Sequence, residues 1–128
     1  QFEVHQLSEK YDLKYRHSTE AYWVKNRLEK DNSNCHICII AMNDHARREL
    51  NYILSEANIS GYYYKPRIDL ELLLSLDPNE FIITSACIAG WKYEDADDIW
   101  IKVWKHFKNN FFLEILIDGA GNFIEFLF

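Results

Sequence analysis

Phe81 to Gly90 reads FIITSACIAG, and the organisation of the chain follows from how this stretch is placed. Phe81-Ile82-Ile83-Thr84 has the aromatic and β-branched character of a buried strand. Ser85 to Gly90 then offers small side chains around Cys87, the pattern of a close backbone approach at the end of a strand. Loops in that position commonly carry chemistry. A single thiol among apolar residues is also commonly a small buried hydrophobe, and at this point both readings of Cys87 stand.

Working backwards, Leu70 to Leu76 reads as a short helix capped by Asp69 and stopped by Asp77-Pro78-Asn79. Asn58 to Arg67 (NISGYYYKPR) reads as a loop that leaves a helix at Gly61 and turns at Pro66. Its tyrosines and its cations Lys65 and Arg67 suit either a loop packed on its own aromatics or a surface for a phosphate or partner. The preceding helix begins at an Asn43 cap, with Leu50, Ile53, Leu54 and Ala57 at i, i+3, i+4 and i+7. Cys35 to Met42 (CHICIIAM) is a near-continuous apolar run, read as a strand buried on both faces in a parallel sheet. Thr19 to Val24 is a further strand with Glu20 inside it, and residues 2–12 form a short surface helix.

Working forwards, Trp100, Val103, Trp104 and Phe107 share one face of a helix with acids in its first turn and lysines in its last. The acids Glu94, Asp95, Asp97 and Asp98 lack the spacing and glycine of a calcium loop and read as helix-start acids. Phe111 to Ile117 and Phe123 to Phe128 read as strands around a turn at 118–122. Strands alternating with helices give an α/β layer or barrel segment in a single domain covering 1–128.

Bulk composition narrows the function classes. With 128 residues, 48% hydrophobic and 16% aromatic, the chain can bury a substantial core and is globular. A net charge of −6 argues against a direct, sequence-independent grip on nucleic acid. Three cysteines, two of them at Cys35 and Cys38, do not make a disulfide framework, so a reducing, cytoplasmic setting is the default. Nothing in the sequence reads as a membrane span or a signal peptide. An opening Gln1 suggests a fragment, a processed chain or a sequence lacking its start.

Cys35-His36-Ile37-Cys38 resembles half of a zinc ribbon, but no second CxxC completes it, and on a strand Cys35 and Cys38 point to opposite faces. Glu20, His36 and Cys87 are potential ligands on three separate strands or strand ends, and carboxylate, imidazole and thiolate suit zinc, manganese or iron. A Cys87 nucleophile paired with His36 or His106, in a small Cys-dependent α/β protein, is the other chemical reading.

The ordered segments STEAYWV (18–24), HICIIAMN (36–43), GYYYKPRID (61–69), TSACIAG (84–90) and FFLEI (111–115) resemble the PHP (polymerase and histidinol phosphatase) domain of bacterial and phage replicative DNA polymerase III alpha subunits. The resemblance covers roughly residues 6–115 and leaves 116–128 unassigned. It implies a part of a distorted (β/α)7, TIM-like barrel with mostly parallel strands and outer helices. It also implies a cluster of divalent ions (zinc, manganese or iron) and phosphoesterase or 3′→5′ proofreading exonuclease chemistry in DNA replication.

By the same resemblance Glu20, His36 and Cys87 fall on metal ligands of the family, with Lys65 and Arg67 near phosphate or a partner. The implied partner is the rest of a polymerase III alpha-like chain, a nucleotidyltransferase, with DNA reached indirectly through it. The family's opening HxH motif and its late D-x-H pair are not in these residues, His17 stands where glycine is usual, and LEIL replaces the more usual LEIQ. That departure favours the middle of a PHP domain or a decayed copy, so a catalytically inactive structural module is the alternative function. A partial barrel also implies self-association through exposed strand edges.

Overall fold

The computed structural model describes residues 2–33, 35–86 and 93–115. Helix α1 (Phe2–Lys10) is followed by β1 (His17–Trp23), β2 (Cys35–Ala41) and the long helix α2 (Asp44–Ile59). A tight pair, β3 (Tyr62–Tyr63) and β4 (Lys65–Ile68), leads to α3 (Leu70–Leu74), β5 (Phe81–Thr84), α4 (Ala96–Phe107), a single 3-10 turn at Lys108–Asn110 and β6 (Phe111–Phe112). The strands lie in the order β3-β4-β1-β2-β5-β6.

The sheet departs from the expected parallel arrangement. β1 runs antiparallel to β2 and β2 antiparallel to β5, whereas β1–β4 and β5–β6 are parallel. Among the described residues the connection from β1 to β2 contains no helix, and a parallel crossover needs a dozen or more residues, usually helical. β2 is also buried on one face only, since its residues alternate buried and half-buried from Cys35 to Ala41. An apolar run looks alike whether one face or both is covered, because Ile40 on the half-open face is as hydrophobic as Ile39 beneath it.

The buried face carries Ala21 and Trp23 of β1, Cys35, Ile37, Ile39 and Ala41 of β2, and Phe81 and Ile83 of β5. Against it pack Ala46, Leu50, Ile53 and Ala57 of α2, Leu72 and Leu73 of α3, and Ile99, Trp100, Val103 and Phe107 of α4. Trp23 and Trp100 meet with ring centroids 5.2 Å apart. The result is two layers, with the helices named here on one side and the other side of the sheet half open.

Local signals account for most element ends. Asn43 Oδ1 accepts the Ala46 amide at 2.8 Å, and Asp69 Oδ1 accepts that of Leu72 at 3.2 Å, so both predicted caps are formed. Trp104 departs from its expected face and is 55% exposed. The buried stripe of α4 is centred on Ile99 and Val103, which leaves Trp104 at its margin. The expected turn at Pro66 is at Tyr64 instead, where φ is 59°, and Pro66 lies inside β4 opposite Tyr62. Cys87, the segment from 116, the turn at 118–122 and the strand expected at 123–128 lie outside the described residues.

Candidate metal centre

Strand alternation brings Glu20 and Tyr22 of β1, His36 and Cys38 of β2, and Thr84 of β5 to the half-open face. In the antiparallel register Glu20 stands opposite Cys38, and Tyr22 opposite His36. Glu20 reaches diagonally, so that its Oε1 lies 3.3 Å from His36 Nδ1. Tyr22 packs its ring edge-on to His36, with centroids 5.0 Å apart, and limits the rotation of the imidazole. His36 is the more enclosed partner, its side chain 23% exposed against 51% for Glu20.

The third sequence-predicted ligand, Cys87, follows a described anchor. Cys87 itself lies outside the described residues; Thr84, the last residue of β5, pairs with Cys38. There the Thr84 hydroxyl donates to the Glu114 carboxylate, the Ser85 amide donates to the Phe112 carbonyl at 3.1 Å, and the Glu114 amide donates to Ser85 Oγ at 2.8 Å. Ala86 then adopts a left-handed φ of 58°, which costs a residue with a Cβ about 1–2 kcal/mol. These bonds hold Ser85 against the β6 segment, next to the strained backbone of Ala86.

Lys65 and Arg67 have different surroundings. Lys65 Nζ lies 4.1 Å from the centre of the Tyr22 ring, a cation–π contact reaching from β4 to β1. Arg67 is buried, and its guanidinium donates to the carbonyls of Gly61 (2.9 Å), Asp31 (2.5 Å) and Arg27 (2.8 Å). It therefore ties three separate loop carbonyls together from within.

Sequence reasoning gave no role to two further constellations. Arg27 reaches both carboxylate oxygens of Asp69, at 2.8 and 2.9 Å, and also Glu71 at 2.9 Å. His45, Glu49 and Glu80 bring one ligand-type atom each within 4.8 Å of one another. His45 Nδ1 lies 2.6 Å from Glu80 Oε2, and this hydrogen bond, reinforced by the charge of Glu80, holds the His45 pKa above its ordinary value. Only the i, i+4 spacing of His45 and Glu49 is visible in sequence, because Glu80 arrives from the approach to a different strand.

The PHP domain model matches residues 2–116, which takes in every described residue. The chain belongs to the PHP domain family. The DNA polymerase III subunit alpha of Campylobacter jejuni is 32% identical to this PHP chain over 127 aligned residues, covering 80% of the chain and 10% of that protein. The protein of the same name from Borreliella burgdorferi is 33% identical over 116 residues, covering 78% of the chain and 10% of the relative. A third, from Aquifex aeolicus, is 32% identical over 93 residues, covering 66% of the chain and 8% of the relative. The PHP chain thus spans about a tenth of the length of the first of these curated relatives.

The donor chemistry of the half-open face suits a divalent ion. A carboxylate oxygen and an imidazole nitrogen bound to one zinc at about 2.0–2.1 Å, at the tetrahedral angle, stand about 3.3 Å apart. The Glu20–His36 separation of 3.3 Å matches that spacing, so this pair fits as two donors of one site. Among the described residues no third donor joins them within ligand distance.

Proposed function

We propose that this chain is the middle part of a PHP domain in a polymerase III alpha-like protein, and that Glu20, His36 and Cys87 are its share of a divalent metal centre. The Glu20–His36 spacing on a half-open sheet face carries this reading. Zinc, manganese or iron in that place would supply Lewis-acid polarisation of a phosphoryl oxygen, the requirement of phosphoesterase or proofreading chemistry. The chain's own side chains orient and charge the site: Tyr22 fixes the His36 ring, and Lys65 offers a cation to a phosphate approaching beside it. Arg67, occupied by three backbone carbonyls, serves the scaffold.

In the complete domain the half-open face is the inner wall of a closed barrel, and the remaining ligands come from segments outside this sequence. The exposed apolar side chains of Phe112, Leu113 and Ile115 at the β6 edge suit contact with the rest of the polymerase chain, or with a second copy when the segment is alone. DNA is reached through the polymerase rather than by this acidic segment itself.

A catalytically inactive structural module is the second reading, favoured by the donor count on the half-open face. Cobalt(II) titration followed by visible absorption separates the readings. The isolated chain should hold well under one ion per chain, with the residual absorption lost in Glu20→Gln and His36→Ala. Metal uptake indifferent to both substitutions overturns the ligand assignment. Hydrolysis of bis(p-nitrophenyl) phosphate by a longer chain that restores the flanking segments, abolished by His36→Ala, favours the enzyme, and its absence favours the silent module.

A further inference from the structure

At the opposite end of β1 and β2 from the candidate metal centre lies a cleft of about 440 Å3, within the size range of small-ligand sites. Its position follows from the register: His17 faces Ala41 there, five residue pairs from the Tyr22–His36 pair, or about 17 Å along the strands. Arg16, His17, Arg47 and His5 line it, with Asp44 the sole carboxylate among the lining residues. Arg47 Nε bonds that carboxylate at 3.1 Å, while Arg16 has no carboxylate partner among the described residues. In a chain of net charge −6, the lining of this cleft is cationic.

The remaining walls are suited to an organic body. Tyr15 and Met42 line the same cleft, and the Tyr15 hydroxyl lies 3.5 Å from His17 Nδ1. Asn43, which caps α2, is also a lining residue, so the first turn of a helix of 16 residues adds the positive end of its dipole. Two acids outside the lining contact lining residues: Glu80, engaged by Asn43 Nδ2 at 3.1 Å and by His45, and Glu9, whose Oε1 lies 3.6 Å from His5 Nε2. Two arginines together with an aromatic and a thioether in one lining suit a phosphate joined to a flat base.

We propose that this cleft binds a nucleoside monophosphate, with the phosphate held by Arg16 and Arg47 and the base lying against Tyr15 and Met42. The site is independent of metal and of the Glu20–His36 pair.

The test is an amide chemical-shift titration of the 15N-labelled chain with deoxyadenosine monophosphate in EDTA, which removes the other centre from the result. Shifts centred on Arg16, His17, Asp44 and His45 are expected, with affinity falling about tenfold in Arg16→Ala and in Arg47→Ala, the loss of one charge-assisted contact each. Arg16 is exposed, so its substitution leaves the fold in place, and Lys105→Ala, on α4, serves as the charge control and should bind unchanged. Shifts confined to other regions, or affinity unaltered in both arginine variants, overturn the proposal. Inorganic phosphate binding as tightly as the nucleotide overturns the base contact, and deoxyadenosine binding as tightly overturns the phosphate contact.

Discussion

Glu20 Oε1 and His36 Nδ1 stand 3.3 Å apart although the two residues are not opposite each other in the ladder. A diagonal contact of this kind depends on the antiparallel register, because a shift of one residue would send either side chain to the helix-covered face. Both groups keep access to solvent, so their attraction contributes little to folding, about 0–1 kcal/mol. Glu20→Gln should therefore leave the urea midpoint nearly unchanged while lowering cobalt affinity at least about tenfold. Equal loss of stability and metal affinity would mean that Glu20 is structural.

Arg67 contrasts with that pair. Its buried guanidinium satisfies the carbonyls of Gly61, Asp31 and Arg27, and truncation strands all three. Arg67→Ala should cost about 3–5 kcal/mol by chemical denaturation. Arg67→Lys should recover less than half of that loss, since one ammonium cannot reproduce a planar fork. A penalty below about 1 kcal/mol for alanine would refute the brace.

Gly61 is required by the same arrangement. A Cβ there would sit 2.1 Å from the Arg67 carbonyl oxygen and 3.0 Å from that of Ala57, both backbone atoms. The β3–β4 pair must then move away from α2, and Gly61→Ala should lose about 1–3 kcal/mol or more in thermal or urea melts. A neutral result would show that the close approach is readily relieved.

Tyr93 connects the start of α4 to the β1–β2 connection, its hydroxyl bonded to the Asp31 carboxylate and placed 2.5 Å from Ser33 Oγ. Burial, followed by the hydrogen bond to Asp31, pushes the tyrosine pKa up to about 12. Hydrogen bonds from Ser33 and Tyr93 hold Asp31 below its ordinary value even though burial acts the other way. The folded state thus favours neutral Tyr93, so its contribution is complete below the unfolded value near 10 and is lost as pH rises through about 12. Asp31 contributes above its unfolded value near 3.8 and loses that contribution as the carboxylate protonates in acid. Absorbance titration at alkaline pH should show a late phenol ionisation that disappears in Tyr93→Phe; an unchanged late phase would assign it to another tyrosine.

How much of this was legible in advance follows from how far each signal extends along the chain. The caps Asn43 and Asp69 are each read within three residues of the amide they satisfy, and both were found. The strand at Phe81–Thr84 and the buried face of α2 follow from local periodicity. Trp104 shows the margin of that method, since a helical stripe does not say which edge residue the sheet will cover. The Arg67 bonds to Asp31 and Arg27, the Arg27–Asp69 pair and the His45–Glu80 pair join residues about 35 or more positions apart and leave no periodic trace.

The sequence alone determined the helices α2, α3 and α4 and the strands β1, β2 and β5, where α2 and α3 begin, and, through its ordered motifs, membership of the PHP family, but read the β3–β4 pair as a loop. These depend on backbone propensity, capping and composition, which are local. Only the tertiary structure decided the strand directions, the half-open face that joins Glu20 to His36, the inward turn of Arg67 and the cationic cleft at the other end of the sheet. Each of those is a distance between segments remote in sequence, set by pairing register and by which face of the sheet the helices cover.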